Sequence, residues 1–245
     1  MTAGLITLLL FIVLVVAWLY LLRLLDRARG AEWGHRWVNR IDGLNRLYCR
    51  RYHRLIAEPL ALPQEGPAIV VANHVSGLDP LLLAAASPRP LRFIIASEEY
   101  HRFGLTWLFR AARCIPVDRT GRPERAFRAA LAALKEGEVV ALFPQGRIYR
   151  DHEVPHHLKP GATRLAQMTR APIYPYRIEG IAGEGTVFSS LWRRSRARLT
   201  HYPPIICQPE AAKQCHHQLE ALMRQHLVPG ESGTSSGFVS QQADS

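Results

Sequence analysis

His74 and Asp79 stand in the run Asn73-His74-Val75-Ser76-Gly77-Leu78-Asp79-Pro80, directly after the apolar stretch Ala68–Ala72. Histidine is the side chain whose ordinary titration falls near neutral pH. This spacing, carried across a turn into a helix, can set the carboxylate on one imidazole nitrogen and leave the other free as a base. The carboxylate would then fix the tautomer and stabilise the imidazolium. On residue type alone, a surface histidine beside a helix-capping aspartate is the plainer reading.

A second group is Phe143-Pro144-Gln145-Gly146-Arg147, again just past an apolar run. A Pro/Gly turn at a strand end lets backbone N–H groups and a guanidinium converge on an anion. The bland alternative is an ordinary turn with a solvated arginine. A third group, Ile115-Pro116-Val117-Asp118-Arg119, offers another arginine at a strand end, or simply a local Asp–Arg pair. Ser76 near His74 does not make a serine hydrolase, because the chain has no G-x-S-x-G elbow. Asp151, His152, Glu153, His156 and His157 crowd one polar stretch without a zinc-type partner pair, and they read as a solvated loop, as does His216-His217.

These groups need a scaffold that gathers strand ends. Ala68–Ala72, Phe93–Ala96, Cys114–Val117, Val139–Phe143 and Ile173–Ile178 read as strands. Pro80–Ala86, Glu98–Ala112, Pro123–Lys135 and Ala162–Thr169 read as helices between them, with Pro123 suited to a first turn and Gly137 to a helix end. Arg194–Ile206 adds a strand ending at Pro203-Pro204, and Glu210–Leu227 a last amphipathic helix. Alternating strands and helices predict an α/β domain with a largely parallel sheet flanked by helices, over residues 61–228. In such sheets sites collect where strand ends meet helix starts. The Gly/Ser/Gln-rich residues 229–245 read as a disordered tail.

Two further segments precede the domain. Leu5–Leu22 carries no charge, and as a helix its eighteen residues would span roughly 27 Å. That suits a membrane anchor over residues 1–25, with Trp18 and Tyr20 as interfacial aromatics. Arg23, Arg27 and Arg29 follow it and no Lys or Arg precedes it, which places the rest of the chain on the cytoplasmic side. In residues 26–60, Trp33, Trp37, Ile41, Leu44, Tyr48, Tyr52 and Leu55 recur at steps of three and four. From Arg23 to Arg54, nine arginines stand against Asp26, Glu32 and Asp42. This basic amphipathic helix either lies in the headgroup layer or packs its apolar face on the domain, and both can hold.

The whole chain of 245 residues carries a formal charge of +11, with arginine making up all but three of its 31 basic residues. Such a balance calls for an anionic partner. Nucleic acid would explain the charge, but not the anchor or the His/Asp pair. Four cysteines in a chain of this length, with no C-x-x-C pair, read as reduced thiols.

In this order, these groups resemble the PlsC-like glycerolipid acyltransferases. The family's N-H-x4-D motif matches Asn73, His74 and Asp79; its second block resembles Ile115–Arg119; its F-P-E-G block resembles Phe143–Arg147. The downstream Lys-x-Gly and Pro-rich strand resemble Lys159-Pro160-Gly161 and Ala171–Pro175, so the likeness runs from residue 61 to about 206. The resemblance implies that His74 is the general base on an acceptor hydroxyl and Asp79 its orienting partner. It also implies that Asn73, Arg119, Gln145, Gly146 and Arg147 bind substrate, the arginines at the acceptor phosphate. The acceptor would be a lysophospholipid, foremost 1-acylglycerol-3-phosphate; the donor would be acyl-CoA or acyl-carrier protein. No cofactor or metal is implied, since a thioester is already activated. The chain departs from the family at Gln145, where a Glu is usual, and at Arg113, where a small residue is usual. Gln145 keeps one other class open, a membrane-bound binder of lipid phosphates without catalysis.

Overall fold

The computed structural model describes residues 2–119, 121, 123–150 and 157–224. The apolar runs become strands β1 (Ala68–Ala72), β2 (Leu91–Ala96), β3 (Ile115–Val117), β4 (Val139–Leu142) and β5 (Ile173–Glu179), followed by β6 (Arg198–His201). They form one sheet in the order β3-β2-β4-β1-β5-β6. All neighbours are parallel except β5 and β6. β1 is central, and all five of its residues are buried. That is why its sequence reads as an unbroken apolar run rather than an alternation.

Period-two alternation of β1 splits its side chains between two cores. Ala68, Val70 and Ala72 face one layer, with α3 (Asp79–Ala86) and the short helices α4 (Ser97–Tyr100) and α5 (Thr106–Ala111). Ile69 and Val71 face the other, with α6 (Pro123–Lys135), α7 (Gly161–Thr169) and α9 (Ala212–Arg224). The chain leaves β1 toward the first layer and leaves β4 toward the second. The carboxyl ends of these two neighbouring strands therefore form the topological switch point at which such sheets hold ligands.

The N-terminal part differs from expectation in shape. Helix α1 runs Thr2–Ala28; its stretch Gly4–Ala28 is long and apolar enough to cross a membrane and none of its most apolar window is buried. One continuous helix to Leu60 is not found. Instead α2 spans Arg36–Leu47, widens into a π turn at Tyr48–Tyr52, and ends where Arg54 adopts φ 48°. Residues 55–60 then run extended, their N–H groups held by the carbonyls of Cys49, Ala197 and Ala86. The buried face of α2 is Val38, Asn39, Asp42, Gly43 and Arg46, whereas Trp37 and Leu44 are exposed. A Cβ on Gly43 would strike the Leu25 carbonyl, so α1 and α2 cross with their backbones in contact. Arg46, paired with Asp42 at 2.8 Å, donates to the carbonyls of Ala84, Ala85 and Ser87. The α1–α2 pair is thereby tied to the C-terminal end of α3.

Other differences are local. The expected helix Glu98–Ala112 is divided by a turn at Gly104, φ 81°. The last strand is short because Pro203 and Pro204 cannot extend the ladder. Cys207 and Cys215 are joined in a disulfide rather than free, because the 3-10 turn Pro209–Ala211 returns the chain to a Cα separation of 5.5 Å. Cys49 and Cys114 are free, and burial pushes both thiols up to about 12, which leaves them inert. The tail 229–245 lies outside the described residues.

Candidate active site

The turn between β1 and α3 closes on the carboxylate of Asp79, which is fully buried. Its Oδ2 accepts from the imidazole Nδ1 of His74 at 2.8 Å and from the backbone N–H groups of Val75 and Ser76 at 2.7 and 2.9 Å. Its Oδ1 accepts the Ser76 hydroxyl at 2.7 Å. That hydroxyl in turn accepts the Leu78 N–H at 3.1 Å. Ser76 is therefore a strut for Asp79, not a nucleophile. With Nδ1–H committed to the carboxylate, Nε2 is the lone-pair-bearing nitrogen. Among the described residues it takes no hydrogen bond.

The ring of His74 is held from a second side. It stacks on Phe143 with centroids 4.1 Å apart and planes at 13°, and Phe143 lies parallel to Phe93. The neighbouring β4 turn also grips the backbone. Gln145 Oε1 accepts the His74 N–H at 2.5 Å, and the Tyr149 N–H donates to the His74 carbonyl at 2.9 Å. The opposite neighbour contributes too: the Gly185 N–H reaches the Val75 carbonyl at 2.7 Å, and the Gly77 N–H reaches the Thr186 carbonyl at 3.0 Å. A Cβ on Gly77 would strike the Val187 carbonyl, so this position requires glycine.

Two of the residues expected to bind substrate make hydrogen bonds to the backbone. Asn73 spends its amide on β5, donating to the Ile178 carbonyl at 2.9 Å and accepting the Ile178 N–H at 2.7 Å. It is buried and splices β1 to β5 beyond the last ladder pair. Gln145, also buried, positions the His74 backbone. This explains how a Gln can stand where a Glu is usual: only an acceptor oxygen is needed at that point. Gln145→Glu is expected to keep activity within a few-fold. Gln145→Leu removes the acceptor of the part-buried His74 N–H, at a cost of about 1–3 kcal/mol, and is expected to lower both melting temperature and turnover. Thermal melts and initial rates of the two variants check this.

Gly146 and Arg147 do lie in the turn beside His74. Gly146 has φ 79°, and a Cβ there would come within 2.6 Å of Lys159 Nζ. The ammonium of Lys159 thus lies against the Gly146 backbone, a cation to which the sequence assigned no part. Leu158, just before it, is fixed by its N–H to Glu220 at 2.9 Å. The guanidinium of Arg147 is exposed and sits over the Tyr149 ring at 4.6 Å. Arg119 is on the same edge of the sheet but beyond β2, roughly 14 Å from β1 at about 4.8 Å per strand. It faces Glu98 at 3.5 Å. The structure joins His74, Asp79 and Gln145 by hydrogen bonds, sets Gly146 next to Gln145 in the same turn, and leaves Arg119 farther along the sheet beside Glu98. Of the polar loop, Asp151, His152, Glu153 and His156 lie outside the described residues; among those described, no cluster suits a metal ion.

A family model described as acyltransferase matches residues 55–179, just over half of the chain. An N-acylphosphatidylethanolamine synthase of Arabidopsis thaliana is 31% identical over 123 residues, 46% of this chain and 43% of the relative. A 1-acyl-sn-glycerol-3-phosphate acyltransferase of Bacillus subtilis is 28% identical over 120 residues, 49% of this chain and 59% of the relative. The chain thus spans about half the length of the curated relatives it matches. Among solved structures, the 1-acyl-sn-glycerophosphate (LPA) acyltransferase PlsC of Thermotoga maritima shares the fold, with TM-score 0.59 at 20% identity, over 80% of this chain and 83% of that one.

Proposed function

Because this chain belongs to the PlsC-like acyltransferase family, we propose that it transfers a fatty acyl group from a thioester to the free hydroxyl of a lysophospholipid, foremost 1-acylglycerol-3-phosphate. The observation that carries this reading is the His74–Asp79 contact at 2.8 Å, with the carboxylate buried and Nε2 left open. In the reaction, Nε2 takes the proton of the acceptor hydroxyl as its oxygen attacks the thioester carbonyl. Asp79 stabilises the imidazolium that forms. The tetrahedral intermediate then collapses, the C–S bond breaks, and the departing thiolate is protonated from Nε2. The thioester supplies the activation, so the chemistry as written draws on no prosthetic group. The donor is acyl-CoA or acyl-carrier protein.

The acceptor phosphate has a cationic place beside the base: the Gly146 turn with Lys159 and Arg147, and Arg119 farther along the edge. Planar bidentate bonding from a guanidinium to phosphate is a geometry that lysine cannot copy. Charge-assisted bonds contribute about 1.5–3 kcal/mol each. Arg147→Lys is therefore expected to raise the acceptor KM about tenfold or more, with the donor KM little changed. Unchanged acceptor KM in Arg147→Lys and Arg119→Lys alike would place the phosphate elsewhere.

Helix α1 is the anchor of this enzyme, and the arginines that follow it put the catalytic domain on the cytoplasmic face. The two relatives named above carry names with different acceptors, so the deciding experiment is a panel. Labelled acyl-CoA and acyl-carrier protein are each offered with lysophosphatidate, other lysophospholipids and phosphatidylethanolamine, and products are read by mass spectrometry. A product from lysophosphatidate supports the reading. No acyl product from any pair, with lipid still bound, would make the protein a binder of lipid phosphates.

A further inference from the structure

The loop between β5 and β6 carries features that catalysis as described does not use. It includes the short helix α8 (Ser189–Trp192). Phe188 and Trp192 are exposed, Trp192 by 79%. Directly after it come Arg193, Arg194 and Arg196, all exposed. The π turn that ends α2 is bound to this loop: Tyr48 Oη donates to the Leu191 carbonyl, Tyr52 Oη to the Trp192 carbonyl at 2.6 Å, and Arg194 lies over the Tyr52 ring. This contact sets the exposed Arg50, Arg51 and Arg54 beside the other three arginines. Among the described residues, none of the six has a carboxylate within ion-pair range. Residues 46–57 and 185–209 together contain no Asp or Glu at all.

A solvated face does not need a 79%-exposed tryptophan amid six arginines that meet no carboxylate among the described residues. Aromatic rings between cationic side chains are the composition of a bilayer interface, where the ring sits at headgroup depth and guanidinium groups meet anionic lipid. The patch is also continuous with the candidate anchor, since the π turn extends α2 and α2 crosses α1 at Gly43. Further exposed aromatics follow the same rim: Trp37 touches Trp107, and Arg102 lies over Phe188, next to the fully exposed Phe103. The loop is bonded to the catalytic turn itself through Gly77–Thr186 and Gly185–Val75.

We infer that the loop from Phe188 to Arg196, with Trp192 at its tip and the six arginines around it, seats in the anionic headgroup layer and holds the mouth of the His74 site against the bilayer. This is a contact separate from the anchor, made by a segment more than 150 residues away in sequence. It rests on the membrane reading of α1, so the test reports the two independently.

The full chain is labelled with an environment-sensitive fluorophore at Trp192→Cys, at Leu14→Cys on α1, or at Arg128→Cys on the exposed side of α6. Cys49 and Cys114 are buried and do not compete. Each protein is reconstituted in phosphatidylcholine vesicles with and without phosphatidylglycerol, with bromine-labelled lipids as depth quenchers. The 192 label is expected to be quenched from headgroup depth when anionic lipid is present, less so in high salt, and the 128 label not at all. The triple change Arg193→Glu, Arg194→Glu, Arg196→Glu is expected to lower that quenching at least several-fold without altering the 14 label. A 192 label in water in both vesicle types, with the 14 label quenched, overturns the inference and leaves the anchor standing. Shielding of the 192 label by an acidic acyl-carrier protein but not by lipid also overturns it, and assigns the patch to the donor. No turnover is measured, so the outcome does not depend on which acceptor is used.

Discussion

Replacing His74 by alanine is expected to reduce turnover by roughly 100- to 10,000-fold, the usual worth of a positioned general base. The fold should survive the change. Asp79 keeps three of its four partners, namely the N–H groups of Val75 and Ser76 and the Ser76 hydroxyl. The bonds from the His74 backbone to Gln145 and Tyr149 do not involve the ring. The lost contact is the stack on Phe143, which leaves a partly exposed gap rather than a sealed cavity. Initial rates with both substrates saturating, alongside a thermal melt, decide the matter. A His74→Ala protein with near-native turnover would refute base catalysis, and one that fails to fold would be separated from it by the melt.

Asp79→Asn is expected to be almost as severe, by a different route. A comparable exchange of carboxylate for amide behind a catalytic histidine costs about 10,000-fold. Here Oδ2 receives three N–H groups and Oδ1 one hydroxyl. An amide can put its carbonyl where Oδ2 was and turn its NH2 toward the Ser76 hydroxyl, which can accept. The turn therefore keeps its shape, but the negative charge that offsets the imidazolium is gone. The expected signature is a fall in kcat of about a thousandfold or more with acceptor KM nearly unchanged. A variant that loses acceptor binding while keeping kcat would make Asp79 a strut for the turn only.

Much of this was legible in the chain, for identifiable reasons. β1 and α6 fall where the sequence puts them. β1 is an apolar run buried on both faces, and α6 starts at a proline and ends before Gly137, which adopts φ 78°. The His74–Asp79 contact was legible because it is local. The functions of Asn73 and Gln145 were not. Their partners lie 105 and 71 residues away, and an amide bonding to a distant backbone leaves no periodic trace. Which side of α2 meets the domain was left open by the sequence, because apolar spacing marks the side that avoids water and not the side that packs. Close approach at Gly43 and the buried Asp42–Arg46 pair take that second part. Lys159 was in view as part of a motif, yet only the Gly146 conformation shows where its ammonium goes.

The hydrogen-bonded ring that unites His74 with Asp79 closes within six consecutive residues. Its chain-entropy cost is that of a very short loop, whatever the distant strands do. The brace around that ring is the reverse: Phe143 and Gln145 of the β4 turn, and the Gly185–Thr186 segment, reach the catalytic turn only when β4 and β5 have docked on β1. The catalytic turn thus combines a contact of low contact order with a brace of high contact order. Sequence drift that loosens long-range docking is expected to leave the His74–Asp79 contact in place while releasing the ring and backbone that Phe143 and Gln145 hold, so that the pair persists and its aim is lost first.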